Sequence, residues 1–249
     1  VSLTTDIGEG FGRWTIADDD SLLEIVTSAN VACGFHAGDP DIIRRTCRIA
    51  ARNGVAIGAQ VSYRDLVGFG RRYVAVPRET LTNDLLYQMG ALDVFARIAG
   101  TRVSYIRAHG ALYNVAATDP EHAAAVVEAA RLFDPNLPLL CQTGTVMWAS
   151  AEDAGITPVA EAFVDRAYTS DGLLVARTEP GALISDPRSA AERAVRMVVE
   201  GQVTAMDGTD VPITARALLI HSDTPNAVEI AHTTRQALTE AGIRLTPQT

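Results

Sequence analysis

Short β-type runs that end in polar residues or glycine alternate with amphipathic helical stretches along this 249-residue chain, and that alternation limits the fold more than any other feature. The runs fall at 3–7, 30–34, 55–60, 103–108, 137–142, 157–162 and 218–221. Asp39-Pro40 supplies an N-cap and a proline at the first helical position for a helix over 41–53, which Gly54 stops. Asp119-Pro120, Asp186-Pro187 and Thr224-Pro225 repeat the signal. Strands separated by helices lie parallel, because each return to the same end of the sheet needs a crossover. An open doubly wound sheet would satisfy the alternation equally well, but the Gly-rich GxGxxG that usually follows its first strand is absent. The pattern therefore predicts an α/β fold with a single domain over 1–249, a (β/α) barrel that is seven-stranded and irregular. Two segments interrupt the repeat: a loop over 62–77 before a helix over 78–99, and a stretch over 203–213 whose Asp207-Gly208 predicts a tight hairpin turn. Both read as decorations.

Composition removes several function classes. All 21 basic residues are arginines, which excludes a P-loop lysine, a Schiff-base lysine and a lysine general base. Against 30 acidic residues they leave a net charge of −9, with no basic run longer than Arg44-Arg45 or Arg71-Arg72, so neither nucleic acid nor an anionic membrane is an expected partner. No apolar run approaches the roughly 18 residues of a membrane span, and Val1-Ser2-Leu3 lacks the charged n-region and apolar stretch expected of a leader. The expected compartment is the cytoplasm. Cys33, Cys47 and Cys141 lack CxxC spacing and suit a reducing environment as buried small hydrophobes. Trp14 and Trp148 are expected in the core.

In a barrel of this kind the working residues sit at the C-terminal ends of the strands, where the βα loops surround one mouth. His36, His109 and His221 each follow a predicted strand, whereas His122 and His232 fall inside helices and are expected in solvent. Asp6 and Glu9 end the first run, Gln60 the third, with Tyr63, Arg64 and Asp65 beyond it; Glu161, Asp165, Arg166 and Tyr168 follow the sixth. Asp39 is expected only to cap its helix, and Asp223 is compatible with an Asx-turn before Thr224-Pro225. Two chemistries suit such a mouth. One is metal-assisted hydrolysis with a carboxylate and histidines around a divalent ion. The other is metal-free acid–base work, with Asp6 or Glu9 tuned by burial and His109 carrying the proton. HExxH, HxH and GxSxG are all absent. Arg107 and Arg166 can grip a carboxylate or phosphate bidentately, which points to a small anionic substrate.

At Asp6-Ile7-Gly8-Glu9, the run from Ser28 to Pro40, the run from Asp65 to Arg72, and His109-Gly110-Ala111-Leu112-Tyr113-Asn114, the sequence resembles the LamB/YcsF family. Glu161 to Arg166, Tyr168 to Gly172 and His221-Ser222-Asp223-Thr224-Pro225 extend the resemblance over nearly the whole chain. It implies a barrel related to glycoside hydrolase and deacetylase barrels, opening of the 5-oxoproline lactam to glutamate with ATP as co-substrate, and two partner subunits, B and C. With no Walker motif, any nucleotide site is of another kind or shared with another subunit. On this basis the catalytic candidates are Asp6, Glu9, His36, His109, His221 and Asp223. The substrate-binding candidates are Gln60, Tyr63, Arg64, Arg107, Asn114 and Arg166, and Asp6 with His36 would hold a divalent metal. The family usually carries Asn-Cys at Thr4-Thr5, histidine at Gln60, lysine at Arg107 and glycine at Ser222. A metal-dependent amidase or deacetylase-type hydrolase and a non-catalytic carboxylate-binding component are the alternatives, the second suggested by Gln60.

Overall fold

In a computed structural model that describes residues 1–248, the chain closes a barrel of seven parallel strands. Its elements in chain order are β1 (Ser2–Ile7), α1 (Asp19–Ile25), β2 (Ser28–Ala32), α2 (Pro40–Asn53), β3 (Ala56–Val61), α3 (Arg78–Ile98), β4 (Val103–Ala108), α4 (Gly110–Ala116), α5 (Pro120–Phe133), β5 (Leu139–Cys141), α6 (Val146–Asp153), β6 (Pro158–Phe163), α7 (Pro187–Val199), β7 (Gln202–Thr204), β8 (Asp210–Pro212), β9 (Ala217–Ile220) and α8 (Ala227–Glu240). The barrel order is β1-β2-β3-β4-β5-β6-β9, with β9 pairing back onto both β6 and β1. β7 and β8 form the separate hairpin expected around Asp207-Gly208.

Strands covered by helices outside and packed against one another inside are buried on both faces, and every residue of β1, β2, β3 and β9 is buried. The Asp-Pro caps behave as the sequence predicts: Asp39, Asp119 and Asp186 accept backbone N–H groups at the starts of α2, α5 and α7, and Gly54 ends α2 in the left-handed region at φ 68°. Thr224-Pro225 does not act this way. Asn226, at φ 65°, stands before α8 and makes no side-chain cap, its amide donating to the Ser185 carbonyl, while Thr224 turns inward to Asp165. The second strand starts two residues earlier than its β-type run, since Ser28 and Ala29 pair with Thr4 and Thr5 of β1. At Gly58 of β3 a Cβ would lie 2.1 Å from the Tyr105 ring, so a glycine lets that ring enter the barrel.

Three further expectations are corrected. His122 is buried, with its ring edge-on to Tyr63 at 5.8 Å and Nδ1 within 3.1 Å of Asp119. Trp14 is 73% exposed on the loop after β1, and Trp148 is half-buried. The loop over 62–77 is a working part of the mouth.

Candidate active site

The strands' C-terminal ends build two polar layers, one inside the barrel and one above it. In the lower layer the Tyr105 hydroxyl donates to Asn30 Oδ1 at 2.8 Å, and Asn30 Nδ2 donates to Asp6 Oδ1 at 3.0 Å. Arg107 reaches that oxygen with Nη1 at 3.4 Å and donates through Nε to Glu161 Oε1 at 2.7 Å. The guanidinium also lies 5.1 Å from the Tyr113 ring centre. Its charge is thus engaged by two buried carboxylates, which hold the Arg107 pKa above its ordinary value against the effect of burial. Burial pushes Glu161 up, with Arg107 opposing.

The upper layer begins where Gly8, at φ 70°, turns the chain after β1 and Glu9 meets His36 and His109. Glu9 Oε1 stands 3.5 Å from His36 Nε2 and 3.4 Å from His109 Nδ1. The two imidazoles stack at 4.0 Å between centres. All three residues are at most 3% exposed. Burial, then the neighbouring Asp6 and Asp223 charges, raises the Glu9 pKa well above the ordinary carboxylate value. Burial lowers His36 to about 3 and drives His109 well below its usual value. Both rings are therefore neutral at pH 7.

Hydrogen bonding selects the tautomer of His109. Its Nε2 faces the Phe69 carbonyl at 3.0 Å and must donate, so Nδ1 accepts from the Gln60 amide at 3.0 Å. A reversed Gln60 amide would require a doubly protonated ring, which burial opposes. Glu9 Oε1 and both nitrogens of His36 have no hydrogen-bond partner. Glu9, His36 and His109 each offer one ligand atom, all within 4.8 Å of one another, so this group could hold a metal ion. Asp6 lies below it and is already bonded to Asn30.

A strap from the loop over 62–77 covers the group. Phe69 has a left-handed backbone at φ 55°, and its ring meets His36 and His109 edge-on at 5.9 and 5.3 Å. Gly70 follows at φ 65°, where a Cβ would stand 2.4 Å from Ser62 Oγ and 2.8 Å from His36 Cβ. The strap is held at Arg71, which donates to Asp223 Oδ2 at 2.6 Å, and at Asp65, which is paired with Arg72.

Beside the group, His221 Nδ1 lies 3.0 and 3.1 Å from the two oxygens of Asp165, which also accepts the His221 backbone N–H and the Thr224 hydroxyl. His221 and these hydrogen bonds outweigh burial and keep the Asp165 pKa low, so the carboxylate is ionised and His221 donates from Nδ1. Ser222 Oγ donates to Glu9 Oε2 at 3.3 Å.

The structure thus gathers Asp6, Glu9, His36, Gln60, Arg107, His109, Arg166, His221 and Asp223 around one mouth. It leaves three candidates outside. Tyr63 is buried beside His122; Arg64 reaches out to Asp84 and over Phe35; exposed Asn114 bonds the Gly110 carbonyl of its own helix. Asn30, Tyr105, Phe69, Arg71 and Arg177 join the mouth without having been singled out as site residues. Asn30 and Tyr105 lie within strands whose burial hides inward polar groups, and Arg177 lies in an irregular loop with no motif of its own.

A model of the LamB/YcsF family matches residues 1–249. The 5-oxoprolinase A subunit of Mycobacterium ulcerans is 54% identical over 242 residues, covering 97% of this chain and 96% of that protein. The 5-oxoprolinase A subunit of Streptomyces coelicolor is 54% identical over 243 residues, covering 98% and 97%. Among solved structures, a lactam utilization protein from Thermus thermophilus matches with a TM-score of 0.94 at 45% identity, covering 99% of this chain and 98% of that one.

Proposed function

The chain belongs to the LamB/YcsF family, and from that premise we propose that it is the A-type component of a 5-oxoprolinase that opens the 5-oxoproline lactam to glutamate with ATP as co-substrate. The observation that carries the proposal is the buried Glu9, His36 and His109 group, set in a chain 54% identical over 97% of its length to a protein of that name. Partner subunits of B and C type complete the enzyme, since the relatives' name describes one subunit of several. Its compartment is the reducing cytoplasm, in keeping with three free, buried cysteines. No helix among the described residues is long and apolar enough to cross a membrane.

A lactam resists hydrolysis because its nitrogen lone pair is delocalised into the carbonyl. Phosphorylating the amide oxygen ends that delocalisation and makes the ring carbon electrophilic: water adds to it, the C–N bond breaks as the nitrogen takes up a proton and leaves as the amine, and a second water hydrolyses the resulting acyl phosphate to glutamate and phosphate. Glu9, with its pKa raised by burial and by two neighbouring carboxylates, is suited to take the proton from the first water. His221, oriented by Asp165, keeps Nε2 available as a second proton carrier. The strap over His36 and His109 keeps bulk water from the reacting carbon. The lower layer fixes the walls and takes no proton.

The orphaned Oε1 of Glu9 and both free nitrogens of His36 favour one further variant, a metal-dependent amidase on the same residues. Glu9, His36 and His109 would hold the ion, although Gln60 donates to the His109 lone pair that it would need. A divalent ion bound there supplies Lewis-acid polarisation of a carbonyl and lowers the pKa of water.

The test is glutamate release from 5-oxoproline, measured with the chain alone and with B- and C-type subunits added. Activity in the ATP-containing mixture, reduced at least ~100-fold by Glu9→Gln with the fold retained, is the expected result. No glutamate in any mixture overturns the assignment. ATP-independent, chelator-sensitive lactam hydrolysis by the chain alone establishes the metal-dependent variant instead.

A further inference from the structure

Arg107 cannot be the group that grips an anionic substrate, because two buried carboxylates already engage it. A second set of arginines at the mouth is not balanced in this way. Arg71 on the strap and Arg177 on the loop after β6 both approach Asp223 Oδ2, at 2.6 and 3.7 Å. Arg166, at the start of that loop, is 6% exposed; it donates to the Val175 carbonyl through Nη2, while its Nε has no acceptor. Asp165, the carboxylate next to it in sequence, is taken by His221 and Thr224. Arg71 and Arg177 therefore share one carboxylate, Asp223, and Arg166 has no salt-bridge partner among the described residues. The mutual repulsion is felt at Arg166, whose pKa falls to about 10 through burial first, then Arg177 and Arg71, against the pull of Asp165.

We propose that Arg71, Arg166 and Arg177 form an oxyanion-binding site at the barrel mouth, with Asp223 as an internal stand-in for the ligand, and that its ligand is the carboxylate of the lactam substrate. The inference rests on the proposed reaction and adds to it the residues that recognise the substrate. Geometry places the site beside the reacting group: Arg71 stacks over Phe69 at 4.9 Å, Phe69 covers His109, and Ser222, next to Asp223, donates to Glu9. A carboxylate held by the arginines thus carries its attached ring towards Glu9. Guanidinium groups suit this task because their fork of donors matches a planar carboxylate bidentately. The same chemistry would accept a phosphoryl group, so the experiment separates the two.

Isothermal titration calorimetry of the full chain uses four probes: 5-oxoproline, 2-pyrrolidinone, which is the same lactam without the carboxylate, acetate, and inorganic phosphate. Arg177→Gln weakens 5-oxoproline at least ~10-fold, the loss typical of a charge-assisted hydrogen bond, and leaves 2-pyrrolidinone unchanged. Asp223→Asn removes the internal competitor and tightens 5-oxoproline several-fold, a gain that loss of structure cannot imitate. This second variant keeps the test decisive if Arg177→Gln fails to fold. Equal affinity in Arg177→Gln and wild type, weakening by Asp223→Asn, or no anion bound by the wild-type chain overturns the proposal. Arg177-dependent phosphate binding that 5-oxoproline does not displace keeps the oxyanion site but overturns the carboxylate as its ligand. Arg177-dependent binding of acetate without 5-oxoproline keeps the site and refutes the lactam substrate; 5-oxoproline bound independently of Arg177 does the reverse.

Discussion

Replacing Arg107 with methionine tests whether the barrel interior is a balanced charge layer. Arg107 is 2% exposed, and its partners Glu161 and Asp6 are 2% and 1% exposed. Methionine of similar length keeps most of the packing and removes the cation that contacts both carboxylates. Breaking a buried ion pair from one side costs about 3–5 kcal/mol, because the remaining charge is left without compensation. For a chain of this size each kcal/mol lowers Tm by about 2–4 °C, so Tm should fall by roughly 6–20 °C at pH 7 to 8. The pH dependence gives the sign. Without Arg107 the Glu161 pKa, already raised by burial, rises further above its unfolded value of about 4.3. A carboxyl shifted upward loses stability as pH rises through that window, so the deficit relative to wild type widens from pH 5 to pH 8. Adding Glu161→Gln removes the stranded charge and should recover about 2 kcal/mol or more in a double-mutant cycle. Arg107→Lys keeps a charge but not the fork that reaches both acids, and should cost about 1–2 kcal/mol. Denaturant unfolding at several pH values measures all four. A loss below about 1 kcal/mol for Arg107→Met at pH 8, or no recovery with Glu161→Gln, would refute the reasoning.

Gln60→His replaces the amide that donates to His109 Nδ1 with a further ligand, and should tighten Zn²⁺ binding at least ~10-fold by calorimetry; unchanged affinity would remove Nδ1 from the metal site. Gly110→Ala forces an alanine to φ 61° with its Cβ 2.5 Å from the Gly70 carbonyl. It should cost about 1–2 kcal/mol from the backbone alone and loosen the strap, seen as faster amide exchange at Gly70 and Ala111; unaltered exchange would contradict the contact. His36 titrates near 3 in the folded chain and about 6.5 when unfolded, so the unfolded state binds the extra proton between these values. Stability should fall as pH drops from about 6.5 towards 3, by on the order of 4–5 kcal/mol from this residue, and a flat wild-type profile in denaturant unfolding from pH 6.5 to 4 would contradict its burial as a neutral ring.

Much of the barrel was legible because its determinants are local. Asp39, Asp119 and Asp186 cap helices through their own next few residues, and the β-type runs mark strands whatever surrounds them. His36, His109 and His221 were found by one rule, that residues following barrel strands meet at one mouth. What the sequence hid depends on contacts between distant segments. Glu9 rather than Asp6 meets the two histidines because Gly8 turns the chain at φ 70°, a backbone choice invisible in an acidic pair three residues apart. Tyr63 and Arg64 follow β3 as a site residue would, yet one packs towards α5 and the other towards α3. Thr224-Pro225 has the composition of a cap, but Asp165 takes the threonine hydroxyl. His122 looked solvent-facing among alanines until Tyr63 and Tyr73 packed against it.

The two polar layers differ in whether their charges are answered. In the lower one, Arg107 faces Glu161 at 2.7 Å and Asp6 at 3.4 Å, and the Asn30 and Tyr105 dipoles are aligned onto Asp6. Glu161 Oε2 is left without a hydrogen-bond partner, but both carboxylate charges are answered by Arg107, so the layer serves as a rigid floor. In the upper one, Glu9 keeps an unpartnered oxygen between two neutral rings, and His36 satisfies neither nitrogen. Each such atom costs about 1–3 kcal/mol when left alone, and here three of them fall in one group that could hold an ion. The strap lies between that deficit and the arginines: the Phe69 carbonyl fixes the proton on His109, and Arg71, two residues on, is held by Asp223. The tautomer of His109 and one of the two arginines held by Asp223 are therefore set by three consecutive residues. For this reason a loop that reads as a decoration in the sequence is an integral part of the site.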